Sequence, residues 1–137
     1  MENKIFEILS KLIENSSSKY YHYPVAAILE CDTGKMYHGV NIETSSPQAG
    51  ICAERCAIFA AIADGVNKDK FKRIYILNKT EKNITPCFIC RQALYDYCNP
   101  ELEIISYNIN GESTSYILND LITNSFGDDD LKWKVVL

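Results

Sequence analysis

Two short stretches of this 137-residue chain carry residues whose types and spacing could do chemistry: Cys52-Ala53-Glu54-Arg55 and Pro86-Cys87-Phe88-Ile89-Cys90-Arg91-Gln92. Each reads as the opening of a helix. The first leads into an apolar run from Cys56 to Ala63, and the second sets Pro86 just ahead of a helical pattern in Ala93, Leu94 and Tyr97. Cys87 and Cys90 then share one face of one turn, and Cys52 can supply a third sulfur from the other helix. A helix N-terminus favours anions, so it lowers the pKa of a thiol there and prepares the sulfur to bind a metal as thiolate. Three such ligands leave a tetrahedral zinc with one open position, the arrangement of a catalytic centre. Spacing also permits a closed structural site, because Cys56 lies four residues after Cys52 and would complete a four-cysteine set. Glu54 is rotated about 200° from Cys52 around an ideal helix, so it need not be a ligand. A carboxylate beside the open position can take a proton from water at the metal and return it to a leaving group.

The elements that must position these residues follow in chain order. Ile5, Phe6, Ile8, Leu9, Leu12 and Ile13 recur at three-and-four spacing, which predicts an amphipathic helix over residues 3–15. Asn15-Ser16-Ser17-Ser18 ends it. The aromatics Tyr20, Tyr21 and Tyr23 then suit core, cleft rim or substrate platform, and His22 and His38 are not needed as ligands. Val25 to Cys31, a turn at Asp32-Thr33-Gly34, and Lys35 to Ile42 read as a hairpin. Asn41 and Glu43 fall on one side of the extended backbone at its end, as a turn-capping pair or as groups facing a substrate.

A polar loop from Thr44 to Gly50 leads to a helix over about 51–65. Lys72 to Asn78 reads as a buried strand, and the loop Lys79 to Thr85 delivers a helix from Cys87 to about Cys98, stopped by Asn99-Pro100. Asn110-Gly111 predicts a two-residue turn between Glu103–Ile109 and Glu112–Tyr116, which makes those strands antiparallel. A helix over about Ile117 to Asn124 and an apolar tail, Val135-Val136-Leu137, complete the chain. With no repeat or linker visible, residues 1–137 read as a single domain.

Composition narrows the partners. Fourteen Lys and Arg against 18 Asp and Glu give a formal net charge of -4 with no basic stripe, which argues against nucleic acid as the main partner. The N-terminus lacks the apolar core of a signal peptide, and no apolar run is long enough to span a membrane. Six cysteines in that setting read as metal ligands and free thiols, implying the cytoplasm; Cys31 and Cys98 read as buried thiols.

Cysteine or histidine, any residue, glutamate, and downstream Pro-Cys-x-x-Cys is a signature of zinc nucleobase deaminases. The form Cys52-Ala53-Glu54-Arg55 resembles the cytidine deaminase family and its blasticidin deaminase relatives. The likeness covers nearly the whole chain: Val25-Ala26-Ala27-Ile28-Leu29 resembles the family's first strand, Asn41-Ile42-Glu43 its ribose-holding Asn-x-Glu, and Leu121 through Leu131 its C-terminal segment. The resemblance implies that Cys52, Cys87 and Cys90 hold one Zn²⁺ per chain and that Glu54 shuttles protons. It implies that Asn41, Glu43, Tyr23 and Ala53 meet a free nucleoside, with Tyr23 where the family sets a phenylalanine against the base. Arg55 falls on an arginine that offsets thiolate charge, which has its own physical sense because three thiolates and one Zn²⁺ sum to -1. Phe126 falls at a subunit interface of a homotetramer.

The fold implied is α/β: a three-layer α/β/α sandwich around a mixed five-stranded sheet whose last two strands are antiparallel. That final pairing points to the free-nucleoside branch, since deaminases of polynucleotides generally put a helix between those strands. The activity implied is zinc-dependent hydrolytic deamination of cytidine and deoxycytidine, a pyrimidine salvage step. Deamination of another aminopyrimidine such as blasticidin S, and a non-catalytic zinc module, are the alternatives. Thr44, Pro47 and Phe88-Ile89 depart from the family's usual asparagine, tyrosine and Gly-Ala or Gly-Arg pair, and so reshape the loop beside the nucleoside and the wall near zinc.

Overall fold

The computed structural model describes residues 2–132. Helix α1 (Glu2–Leu12) is followed by strands β1 (Val25–Cys31) and β2 (Met36–Val40), helix α2 (Ala53–Ala63), strand β3 (Phe71–Asn78), helix α3 (Phe88–Tyr97), and strands β4 (Glu103–Tyr107) and β5 (Ser113–Ile117). The strands form one mixed sheet in the order β2-β1-β3-β4-β5. β1 is antiparallel to both its neighbours, β3 and β4 are parallel, and β4 and β5 are antiparallel. The parallel pair needs a crossover, which α3 supplies. Because β2 and β3 flank β1 and run the same way, their C-terminal ends share one rim of the sheet with the start of β1. Val25 pairs with Asn78 there, and Ala26 with Val40. The chain leaves that rim to enter both α2 and α3.

All seven residues of β1 are buried, and they alternate between two cores. Val25, Ala27, Leu29 and Cys31 pack with Ala57 and Ile58 of α2 and Leu94 of α3. Ala26 and Ile28 pack on the other face with Ile5, Leu9 and Ile13, a stripe at four-residue spacing from α1 into the turn after it. On α2, alanines at 53, 57 and 61 let the helix settle onto the sheet. Gly39 of β2 permits a still closer approach, since a Cβ there would fall on the Ala53 carbonyl oxygen and 2.5 Å from the Ala57 nitrogen.

The predicted hairpin, both helices that the cysteines open and the antiparallel end of the sheet are present. Three expectations need correction. The first helix stops at Leu12, and Ile13–Asn15 tightens into a 3-10 turn. The β4–β5 connection is a three-residue loop of Ile109, Asn110 and Gly111, because only Gly111 takes the left-handed conformation (φ 80°) and Asn108 pairs across to Glu112. The Asn108 carboxamide oxygen receives the N–H groups of Asn110 and Glu112, each at 3.0 Å, and so builds the turn. The helix predicted over 117–124 does not form: Ile117 ends β5, and Leu118–Leu121 make a single 3-10 turn. Tertiary bonds replace the helical ladder there, with Leu118 and Asn119 N–H donating to the Leu102 and Pro100 carbonyls. The apolar tail at 135–137 lies outside the described residues. Among the described residues no helix is long and apolar enough to cross a membrane.

Candidate metal centre and adjoining cleft

Cys52 is the N-cap residue of α2 and Cys87 that of α3, and Cys90 sits in the first turn of α3. Their sulfurs all lie within 4.8 Å of one another, with 3.8 Å between Cys52 and Cys87. Cys87 is exposed, Cys52 partly so, and Cys90 buried. Cys56 is not part of this group. Arg55 reaches back one turn to place Nη2 3.5 Å from the Cys52 sulfur. Arg91 fastens the loop that delivers Cys87: its Nε donates to the Pro86 carbonyl at 2.7 Å, Nη2 to Thr85 Oγ1 at 2.8 Å, and Nη1 to the Leu121 carbonyl at 3.0 Å.

The three thiols shift one another through their mutual hydrogen bonds. Hydrogen bonds from Cys52 and then Cys90 pull the Cys87 thiol down to about 2, while bonding to Cys87 pushes Cys52 up and bonding to Cys52 and Cys87 pushes Cys90 up. Three soft donors clustered at two helix starts, with a guanidinium beside them, suit a zinc ion with one position left open.

A cleft of about 400 Å³ opens against Cys52 and Cys87. Tyr23, Val25, Asn41, Glu43, Ala53 and Glu54 line it together with Tyr21, Ile84 and Thr85. Ala53 lies at its floor, fully buried. Glu54 is only 5% exposed, and burial pushes its carboxyl up to about 7, with the Cys87 charge adding to the effect and Arg55 opposing it. Asn41 and Glu43 do cap local backbone: Asn41 Oδ1 accepts the Val25 N–H at 2.8 Å, and Glu43 Oε1 accepts those of Tyr20 and Tyr21 at 2.8 and 3.0 Å. Both also face the cleft, so the two roles open from sequence are compatible.

Comparison with known proteins agrees with this geometry. Residues 1–106 match the family model described as the cytidine and deoxycytidylate deaminase zinc-binding region. The cytidine deaminase of Sporosarcina psychrophila is 33% identical over 130 residues, spanning 95% of this chain and 94% of that protein. The chain belongs to the cytidine deaminase family. A crystal structure of cytidine deaminase from Burkholderia pseudomallei superposes with a TM-score of 0.86 at 31% identity, covering 92% of this chain and 99% of that one. The blasticidin-S deaminase of Bacillus cereus is 26% identical over 105 residues, spanning 72% of this chain and 73% of that protein.

Against that family background the remaining residues sort clearly. Phe126 lies away from the cleft; it is 57% exposed, and its carbonyl accepts from Gln92 Nε2 at 2.8 Å. Thr44, Pro47 and Ile89 line a second groove of about 270 Å³ that shares Tyr21, Asn41, Glu43 and Cys52 with the cleft. Phe88 points elsewhere, with the Arg91 guanidinium 4.5 Å from its ring centroid. Tyr21, 75% exposed, takes the rim place that the sequence left open among core, rim and platform. Two residues escaped sequence reasoning: Thr85, which lines the cleft, and Arg91, which holds it, meet through tertiary contacts that no local pattern encodes.

Proposed function

We propose that this chain catalyses the hydrolytic deamination of cytidine and deoxycytidine, consuming water and releasing uridine or deoxyuridine with ammonia. The observation that carries the reading is a buried carboxylate, Glu54, lining the same cleft as two sulfurs of a three-thiol cluster. Cys52, Cys87 and Cys90 would hold the zinc, which when bound would supply Lewis acidity to water near neutral pH. Glu54, raised towards neutrality by burial, takes the proton of the water that attacks C4, delivers it to N3, and then helps protonate the leaving amine. Arg55 offsets thiolate charge, so the sulfurs blunt the metal less. Asn41 and Glu43 hold the sugar, Tyr23 meets the base, and Ala53 floors the base pocket.

Residues 1–137 act as one domain, an α/β/α sandwich with α1 on one face and α2 and α3 on the other. The chain works in the cytoplasm as a homotetramer on free nucleosides in pyrimidine salvage, with Phe126 at a subunit interface. A second reading, a deaminase of blasticidin S or another aminopyrimidine, draws on Thr44, Pro47 and Ile89 reshaping the groove next to the cleft. A spectrophotometric panel of cytidine, deoxycytidine, deoxycytidylate, cytosine and blasticidin S on zinc-loaded protein separates the two. Turnover confined to blasticidin S overturns the nucleoside reading. Light scattering is expected to report about four chains, and a fully active monomer would show that each site is complete within one chain.

A further inference from the structure

We propose that Ser16 is a positioning residue for the sugar-facing wall of the cleft, acting through Asn41; this rests on the reading that Asn41 and Glu43 hold sugar hydroxyls. An asparagine side chain has two acceptor lone pairs and two N–H donors. In Asn41, Oδ1 accepts from the Val25 N–H at 2.8 Å and from the Ser16 hydroxyl, while Nδ2 donates to the Tyr23 carbonyl at 2.8 Å. Both lone pairs and one N–H are therefore engaged within the chain, and towards the cleft Asn41 can only donate. Glu43 is the complement. Its Oε1 is engaged by the Tyr20 and Tyr21 N–H groups, which leaves Oε2 as an acceptor. One donor beside one acceptor matches hydroxyl groups, which both accept and donate.

The polarity of this pair depends on which way the Asn41 amide faces. Exchanging its oxygen and nitrogen would set Oδ1 against the Tyr23 carbonyl and Nδ2 against the Val25 N–H. Those two backbone groups fix the orientation; the Ser16 hydroxyl, which can donate or accept, fills the second lone pair of Oδ1 and fixes where the carboxamide sits, and it does so from the α1 side of the sheet. It directly follows the 3-10 turn that ends α1, in a segment laid beside the Asn41 strand: Ser17 N–H donates to the Asn41 carbonyl at 3.0 Å, and Glu43 N–H to the Ser17 carbonyl at 2.8 Å. Ile42 is closed on its other side by paired bonds with Ile51, each 2.9 Å. The sugar wall is thus held by a segment whose own anchor, α1, packs on the face opposite the sulfurs.

The test compares wild type, Ser16→Ala and Ser16→Thr, all zinc-loaded, on cytidine and on 2′,3′-dideoxycytidine, whose sugar offers no secondary hydroxyl. Loss of one neutral hydrogen bond is expected to raise KM for cytidine roughly three- to tenfold in Ser16→Ala. Zinc content, kcat, and kcat/KM for the dideoxynucleoside should stay within about twofold. Ser16→Thr keeps the hydroxyl and should retain wild-type KM. Should Ser16→Ala fold poorly, Ser16→Thr and Ser16→Val, alike in shape and differing in the hydroxyl, carry the same comparison. Equal losses on both nucleosides, or unchanged KM for cytidine, overturn the role of Ser16 while wild-type turnover leaves the deaminase reading standing. Absence of wild-type turnover on cytidine overturns both.

Discussion

The two walls of the cleft are built by different means. The sulfur wall hangs on regular structure: Cys52 and Cys87 are helix N-caps, and the alanine stripe of α2 and Gly39 of β2 set how closely that helix meets the sheet. The wall proposed to meet the sugar has no helix or long strand of its own. Asn41 and Glu43 stand on a short extended segment held by backbone and side-chain hydrogen bonds from residues 16–25 and from Ile51. Substitutions in the first wall should therefore act on metal binding and chemistry, and those in the second on substrate affinity.

The largest effect is expected for Cys90→Ala, which removes the buried member of the proposed ligand set. Elemental analysis should find the zinc gone and activity reduced by more than the roughly 10–100-fold that outer-shell changes cost at metal sites. Retention of zinc would mean that another group completes the set. Glu54→Gln comes next. It should keep one zinc per chain and near-normal substrate affinity while kcat falls on the order of 10²–10⁴-fold or more. A variant that loses its metal would make Glu54 a ligand.

Burial of that carboxyl also has a pH signature in zinc-stripped protein. Its folded pKa of about 7 lies above the ordinary 4.5, so the folded state binds the extra proton between those values. Stability should fall as pH rises through that window. Relative to Glu54→Gln, wild type should lose about 3 kcal/mol between pH 4 and pH 8. Parallel melting curves for the two proteins across that range would show that the carboxyl is not desolvated.

On the sugar wall, Glu43→Ala should lower kcat/KM for cytidine by about 1.5–3 kcal/mol, through KM rather than through zinc content. Because Oε1 also holds the rim at Tyr20 and Tyr21, Glu43→Gln sharpens the measurement, keeping that cap while turning the outward acceptor into a donor. Unchanged kinetics in both variants would remove Glu43 from substrate binding. The smallest effect belongs to Cys56→Ala, expected to leave zinc stoichiometry and turnover intact. Metal loss there as complete as in Cys90→Ala would revive the closed four-cysteine site.

The contrast between the walls also governs what could be read from the residues alone. β1 was legible to both ends, because a buried apolar run bounded by Pro24 and Asp32-Thr33-Gly34 has few other readings. The thiols were legible because helix starts announce themselves locally through Pro86 and the periodic runs that follow. Leu118–Leu121 was not, since its backbone bonds go to Pro100 and Leu102. Asn110-Gly111 pointed to the right pairing by the wrong turn, with Asn108 supplying what the dipeptide does not. Ser16 had no local signal at all, because its partner lies 25 residues away.

The course of β1 has a practical consequence. The strand begins at the cleft rim and ends at the turn Asp32-Thr33-Gly34, about 20 Å away at the usual rise per residue. Gly34, in the left-handed conformation with φ 89°, has nothing within 4 Å of where a Cβ would stand, and its N–H closes the turn on the Cys31 carbonyl at 2.9 Å. A dye or short peptide attached at exposed Thr33 would project from the far rim of the sheet, where it could report on the molecule without touching nucleoside or metal.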